Sequence, residues 1–175
     1  MHIQSELPLY QPILLIPFHS SLRVVCDWFA NKLLAKTNSS FKVTLGIGGW
    51  SWSSNFSLAV RTASSRTSFA TSIVDLFQEW PNLFSGVTID WDYMSNDGSN
   101  YGSSGNNVDP SDEANFALFV QTLREMFNQK GWTSYTIAAC FTTQMMRPSP
   151  NSVLIPLLDR WHIVTYEYTI LVSHS

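Results

Sequence analysis

A parallel α/β architecture is predicted for this 175-residue chain by three observations. Strand-like and helix-like segments alternate from Phe41 onward, the rhythm of β-α-β units. Residues 86–93 (Gly-Val-Thr-Ile-Asp-Trp-Asp-Tyr) alternate polar and apolar side chains at the two-residue period of a strand. The composition, 45% hydrophobic and 13% charged, is apolar enough for one sizeable core and too poor in charge for disorder.

Each element has its own signal. Residues 42–47 read as a strand that runs into Gly48-Gly49-Trp50, where the backbone must turn sharply or admit a close approach. Residues 65–80 read as an amphipathic helix, with Phe69, Ile73, Leu76, Phe77 and Trp80 inward and Pro81 ending it. A strand is expected over 84–93. The stretch 95–112, rich in Gly, Ser, Asn and Asp, is a long polar loop, and Asp112 reads as the N-cap of a helix over 113–129. Residues 135–141 form the next strand, 153–158 a short helix and 161–168 a fourth strand. Upstream, 13–18 is a short strand-like run, and 21–36 has helical spacing in Leu22, Val25, Phe29, Leu33 and Leu34.

Ten Lys and Arg against thirteen Asp and Glu, with no basic stripe, argue against a nucleic-acid partner. Aromatics are the outlier: seven Trp, six Tyr and eleven Phe exceed what a core requires, and flat rings stack well on apolar ligand faces, sugars included. Cys26 and Cys140 make neither a disulfide framework nor a metal-ligand spacing and read as small buried hydrophobes. No run is long enough to cross a membrane. The segment before residues 12–18 carries Glu6 and no Lys or Arg, so no secretory signal is read and localisation stays open.

The chemistry centres on residues 86–93. In an extended strand Thr88, Asp90 and Asp92 share one face, while Val87, Ile89 and Trp91 take the other. Two carboxylates on one face of a buried strand repel and are poorly solvated, which raises one pKa. That is a route to a proton donor near neutral pH. Each candidate also has a plainer reading. The two acids suit a solvated loop start, Gly48 and Gly49 a tight turn, and Tyr166 an ordinary core position. His162, among apolar residues of a strand, reads as a satisfied core histidine. Trp28, Trp80 and Trp132 read as core, and the sequons at Asn38, Asn55 and Asn151 as silent.

The text resembles the family 18 glycoside hydrolases, the chitinase and chitinase-like group. Ser85-Gly86-Val87-Thr88-Ile89-Asp90-Trp91-Asp92-Tyr93 is similar to the family strand Asp-Gly-x-Asp-x-Asp-x-Glu, commonly ending Asp-Trp-Glu-Tyr. Leu45 to Trp50 resembles its Ser-x-Gly-Gly-Trp strand, with Phe56 and Phe69 at similar phenylalanines. Tyr135 to Ala138 resembles the strand after the catalytic one, and Val164-Thr165-Tyr166-Glu167-Tyr168 resembles Met-Thr-Tyr-Asp-Tyr. The polar insertion at 95–110 is similar to fungal members. There are departures: Ser85 and Thr88 replace the first two acids, Asp92 replaces the terminal Glu, and Glu167 stands where the family has Asp.

The resemblance implies an incomplete (β/α)8 barrel holding roughly strands 3 to 6. Residues 41–168 would be the partial catalytic barrel, 1–40 a poorly matching N-terminal segment and 169–175 an off-family tail. It implies a glycosidase acting on β-1,4-linked N-acetylglucosamine polymers by substrate-assisted retaining hydrolysis. Asp92 takes the acid role and Asp90 the neighbouring one; Trp50, Tyr93, Tyr166, Glu167 and Thr88 bind substrate. The expected partner is chitin or a chitooligosaccharide, no cofactor or metal is implied, and open barrel edges favour self-association. A chitin-binding, lectin-like relative without catalysis and a non-functional fragment are the alternatives.

Overall fold

The computed structural model describes residues 43–95, 97–142 and 154–164. Four strands, β1 (Val43–Gly48), β2 (Phe84–Asp90), β3 (Thr136–Thr142) and β4 (Arg160–Val164), form one parallel sheet in sequential order. Helices α1 (Phe56–Val60) and α2 (Ala63–Glu79) connect β1 to β2, and α3 (Asp112–Gln129) connects β2 to β3. A single 3-10 turn, Ile155–Leu157, precedes β4. The proposed elements at 13–18 and 21–36, and residues 165–168 of the fourth strand, lie outside the described residues.

Alternation along the strands sorts the two faces. Ile47, Val87, Ile89, Ile137, Ala139 and Phe141 point to one side and are buried under the helices. Phe69, Ile73, Leu76 and Phe77 of α2 and Phe116, Phe119, Val120, Leu123 and Phe127 of α3 complete that core. Aromatic stacking carries much of it: Phe69 lies 4.5 Å from Phe119, and Phe77 lies 4.9 Å from Phe84. Phe84 reaches the helix side because the β1–β2 register shifts between Val43 and Leu45.

Helix α2 starts on a capping box. The Ser65 amide donates to Thr62 Oγ1 and the Thr62 amide to Ser65 Oγ, both at 3.0 Å, satisfying two of the donors that a helix start leaves open. Asp112 is not the N-cap of α3. Ser111 holds that position, and Asp112 is the first helical residue, its Oδ2 accepting from the Asp109 amide at 2.9 Å. The first turn still carries Asp112 and Glu113, favourable at the positive end of a helix dipole.

Among its described residues, the 95–112 stretch has no strand or helix before α3 but is closely hydrogen-bonded. Asp97 anchors its start: Tyr101 Oη and the Ser99 amide donate to its carboxylate at 2.6 and 2.8 Å. Those two bonds, Tyr101 first, hold Asp97 down at about 2.

Candidate active site

The C-terminal ends of the strands gather the chemistry. Gly48 of β1 pairs with Asp90 of β2, and Cys140 of β3 pairs with His162 of β4. Ile89 pairs with Ala139, so the next step of the register sets Asp90 beside Cys140. The row Gly48, Asp90, Cys140, His162 therefore crosses the face turned away from the helices.

Strand β2 ends at Asp90, so Asp92 is not a strand residue, as the alternation had implied. It lies in the turn beyond, with the Asp92–Tyr93 peptide in the cis form. The charges of both acids are nevertheless felt at Cys140. The Cys140 thiol is pushed up to about 12, first by burial, then by its hydrogen bond to Asp90 and the negative charges of Asp90 and Asp92. A thiolate there would face two carboxylates, so the thiol stays protonated and can donate.

Gly48 and Gly49 build the adjoining wall. Both have positive φ, 110° and 91°, and a side chain at Gly48 would overlap the Asp90 carbonyl. The turn they make lets the Gly49 amide donate to that carbonyl at 2.6 Å, while the Asp90 Oδ2 carboxylate oxygen lies 3.6 Å from where a Gly49 Cβ would be. Trp50 follows, 52% exposed, its ring edge-on to Tyr93 at 6.4 Å. Tyr93 is itself buried and backs Trp50 from the protein side. Asp92 is only 4% exposed.

Of the residues singled out from the sequence, Thr88 and Asp90 face the open side of β2, half-buried. Asp92, Trp50 and Tyr93 join them at the strand ends. Tyr166 and Glu167 lie outside the described residues. Trp91 packs as a core residue, stacked on Phe56 at 5.2 Å and edge-on to Phe116 at 6.0 Å.

Two readings are corrected. His162 is exposed rather than a satisfied core histidine, because no described residue covers its face of β4. Cys140 is half-buried against Asp90, not sealed in the core; Cys26 is outside the described residues. Sequence reasoning also missed the short helix α1 and, with it, Ser53. Ser53 is fully buried, and its Oγ accepts from the Asp92 amide at 2.8 Å. Nothing in Trp52-Ser53-Ser54-Asn55 marks one serine over the other. Cys140, by contrast, could have been found by aligning two predicted parallel strands in register.

The glycosyl hydrolases family 18 description matches residues 25–171. Chitinase A1 of Niallia circulans is 30% identical over 140 residues, covering 77% of this chain and 19% of that protein. Endochitinase 1 of Metarhizium robertsii is 37% identical over 93 residues, covering 53% of this chain and 18% of that protein. Among solved structures, the catalytic domain of psychrophilic chitinase B from Arthrobacter TAD20 superposes with a TM-score of 0.65 at 30% identity, covering 79% of this chain and 36% of that one. The chain thus spans about a fifth of the length of the curated relatives it matches. It belongs to family 18 of the glycosyl hydrolases, and the four parallel strands among its described residues are part of that family's (β/α)8 barrel.

Proposed function

We propose that this chain carries the acid pair of a chitinase-type hydrolase acting on β-1,4-linked N-acetylglucosamine polymers. The observation that carries this reading is the placement of Asp90 at the C-terminal end of β2 and of the buried Asp92 in the turn just beyond it, next to Tyr93 and the exposed Trp50. In substrate-assisted retaining hydrolysis the sugar's acetamido oxygen attacks the anomeric carbon, so the protein supplies no nucleophile. Asp92 protonates the departing glycosidic oxygen. Asp90 orients and polarises the acetamido group, and Thr88, one step down the same face, offers it a hydroxyl. Trp50 provides the stacking surface with Tyr93 behind it; Tyr166 and Glu167 hold the reacting sugar.

Aspartate is one methylene shorter than glutamate, which sets the proton back by about 1.5 Å. A misplacement near 1 Å costs roughly a hundredfold in rate. Hydrolysis is therefore weak in the native chain, and Asp92→Glu is the informative variant. Release of a fluorophore from a chitooligosaccharide glycoside should rise by about a hundredfold in Asp92→Glu and vanish in Asp92→Asn. If Asp92→Glu gains nothing while the chain is retained on chitin beads, the binding-module reading takes its place. The substitution of the acid by Asp92 favours that second reading, since sugar affinity rests on aromatic and hydrogen-bonding contacts that it leaves intact.

A further inference from the structure

Asp92 is gripped through its main chain from two sides. Its amide donates to Ser53 Oγ at 2.8 Å, and that hydroxyl donates onward to the Gly49 carbonyl at 2.9 Å, with the Asp90 carbonyl at 3.3 Å. Its carbonyl accepts from Asn106 Nδ2 at 2.6 Å. Gly102 closes over the same carbonyl. A side chain there would overlap the Asp92 oxygen and lie 2.6 Å from Asn106 Nδ2, so only glycine permits the approach.

The loop that delivers Asn106 is fastened independently of Asp92. The Asn106 amide donates to the Ser103 carbonyl at 2.9 Å, and Asn107 donates twice to the Ser54 carbonyl, from its amide at 3.0 Å and from Nδ2 at 2.8 Å. Serines 53 and 54 thus receive opposite tasks: one holds the acid and the other holds the loop that reaches over it.

We propose that Ser53 and Asn106 are positioning residues that act through Asp92, a two-point clamp that fixes where its carboxyl can reach. Only two side-chain torsions separate the clamped backbone from the carboxyl group, so fixing the peptide unit confines the acid to a small set of positions. The inference rests on the proposed acid role of Asp92. It makes the polar insertion part of the site rather than a passive surface loop.

The test compares Ser53→Ala and Asn106→Ala with Asn107→Ala, which removes only the side-chain bond to Ser54, keeps the main-chain bond that holds the loop, and does not touch Asp92. Carbon-13 carboxyl resonances of labelled aspartates, with Asp92 assigned through Asp92→Asn, report its surroundings whether or not the chain turns over. The Asp92 resonance and its titration should move in Ser53→Ala and Asn106→Ala and stay at parent values in Asn107→Ala. With the fluorogenic substrate, Asn106→Ala should lower kcat by about tenfold at KM within about twofold, and Asn107→Ala should lower Tm alone. An Asp92 titration unchanged in Asn106→Ala, or moved equally by Asn107→Ala, overturns the clamp. Absence of hydrolysis in the parent and in Asp92→Glu would sink the acid role instead, and the resonances would still decide the clamp.

Discussion

The Cys140 thiol donates a hydrogen bond to the Asp90 carboxylate across the β2–β3 boundary, with the charge of Asp92 close enough to be felt. Alkylation offers a direct reading of this arrangement. Held at about 12, the thiol should react with iodoacetamide far more slowly near pH 8 than an ordinary free cysteine. Asp90→Asn removes the charge and should accelerate the reaction. Each unit of lowered pKa gives tenfold more thiolate but a weaker nucleophile, a net gain of about threefold. Peptide-resolved mass spectrometry should show roughly a three- to tenfold faster reaction at Cys140. An unchanged rate would mean that burial alone sets the thiol.

A second expectation concerns Asp112, fully buried at the start of α3. Burial, the largest cause, raises its pKa, while Ser57 and the amides of Asp109 and Ser95 pull the other way. The sign follows from linkage: the folded state favours the protonated form. The associated stability is fully present below the ordinary value of 3.8 and is lost as pH rises through the raised folded value. Asp112→Asn keeps an acceptor for the Asp109 amide and removes the charge. It should match the parent below the ordinary value of 3.8 and gain on it in Tm as pH rises through the raised folded value, holding that gain up to pH 8. A constant offset between the two melting curves across pH would contradict this.

How far the sequence could be read depended on whether a feature was written in one segment or across several. Val87, Ile89 and Trp91 against Thr88 and Asp90 could be sorted by alternation, because hydrophobic burial imposes the period directly. The inward face of α2 was equally plain, and so was the polar character of 95–112. Asp92 misled because alternation does not announce where a strand stops, and two residues beyond β2 the chain is in a turn. Ser53, Asn106 and Gly102 were invisible for another reason. Each acts through a backbone atom of Asp92, and such partners carry no spacing signature. His162 was misjudged because an apolar neighbourhood in sequence says nothing about which sheet face remains uncovered.

Two glycines of β1, two residues apart, should answer oppositely to alanine. At Gly46 a Cβ meets nothing within 4 Å, so Gly46→Ala restricts the unfolded chain without a clash and should stabilise by about 0.5 kcal/mol. At Gly48, with φ of 110°, a Cβ overlaps the Asp90 carbonyl and lies 2.7 Å from the Phe56 ring. Gly48→Ala should cost about 3 kcal/mol or more, combining backbone strain with displacement of a core ring. Urea denaturation of the two variants checks the contrast. Equal effects would mean that the turn into Trp50 is not as tight as described.

Away from the site, Asp159 joins three elements just before β4. Its Oδ2 accepts from the Ile137 amide at 2.7 Å and pairs with Arg124, while its own amide donates to the Ile137 carbonyl at 2.9 Å. Arg124 also donates to the Tyr135 carbonyl at 2.6 Å, tying α3 to the entry of β3. Because both charged side chains are partly exposed, the ion pair itself is worth at most about 1 kcal/mol. The Ile137 amide is the costlier thing to lose, since a strand donor beside a buried residue would be left without its acceptor. Asp159→Asn, which retains an oxygen for that amide, should therefore cost under about 1 kcal/mol, and Asp159→Ala about 2 kcal/mol. Equal losses in the two variants would show that the charge outweighs the hydrogen bond. In that case raising the salt concentration should erase most of the difference between the parent and Asp159→Asn.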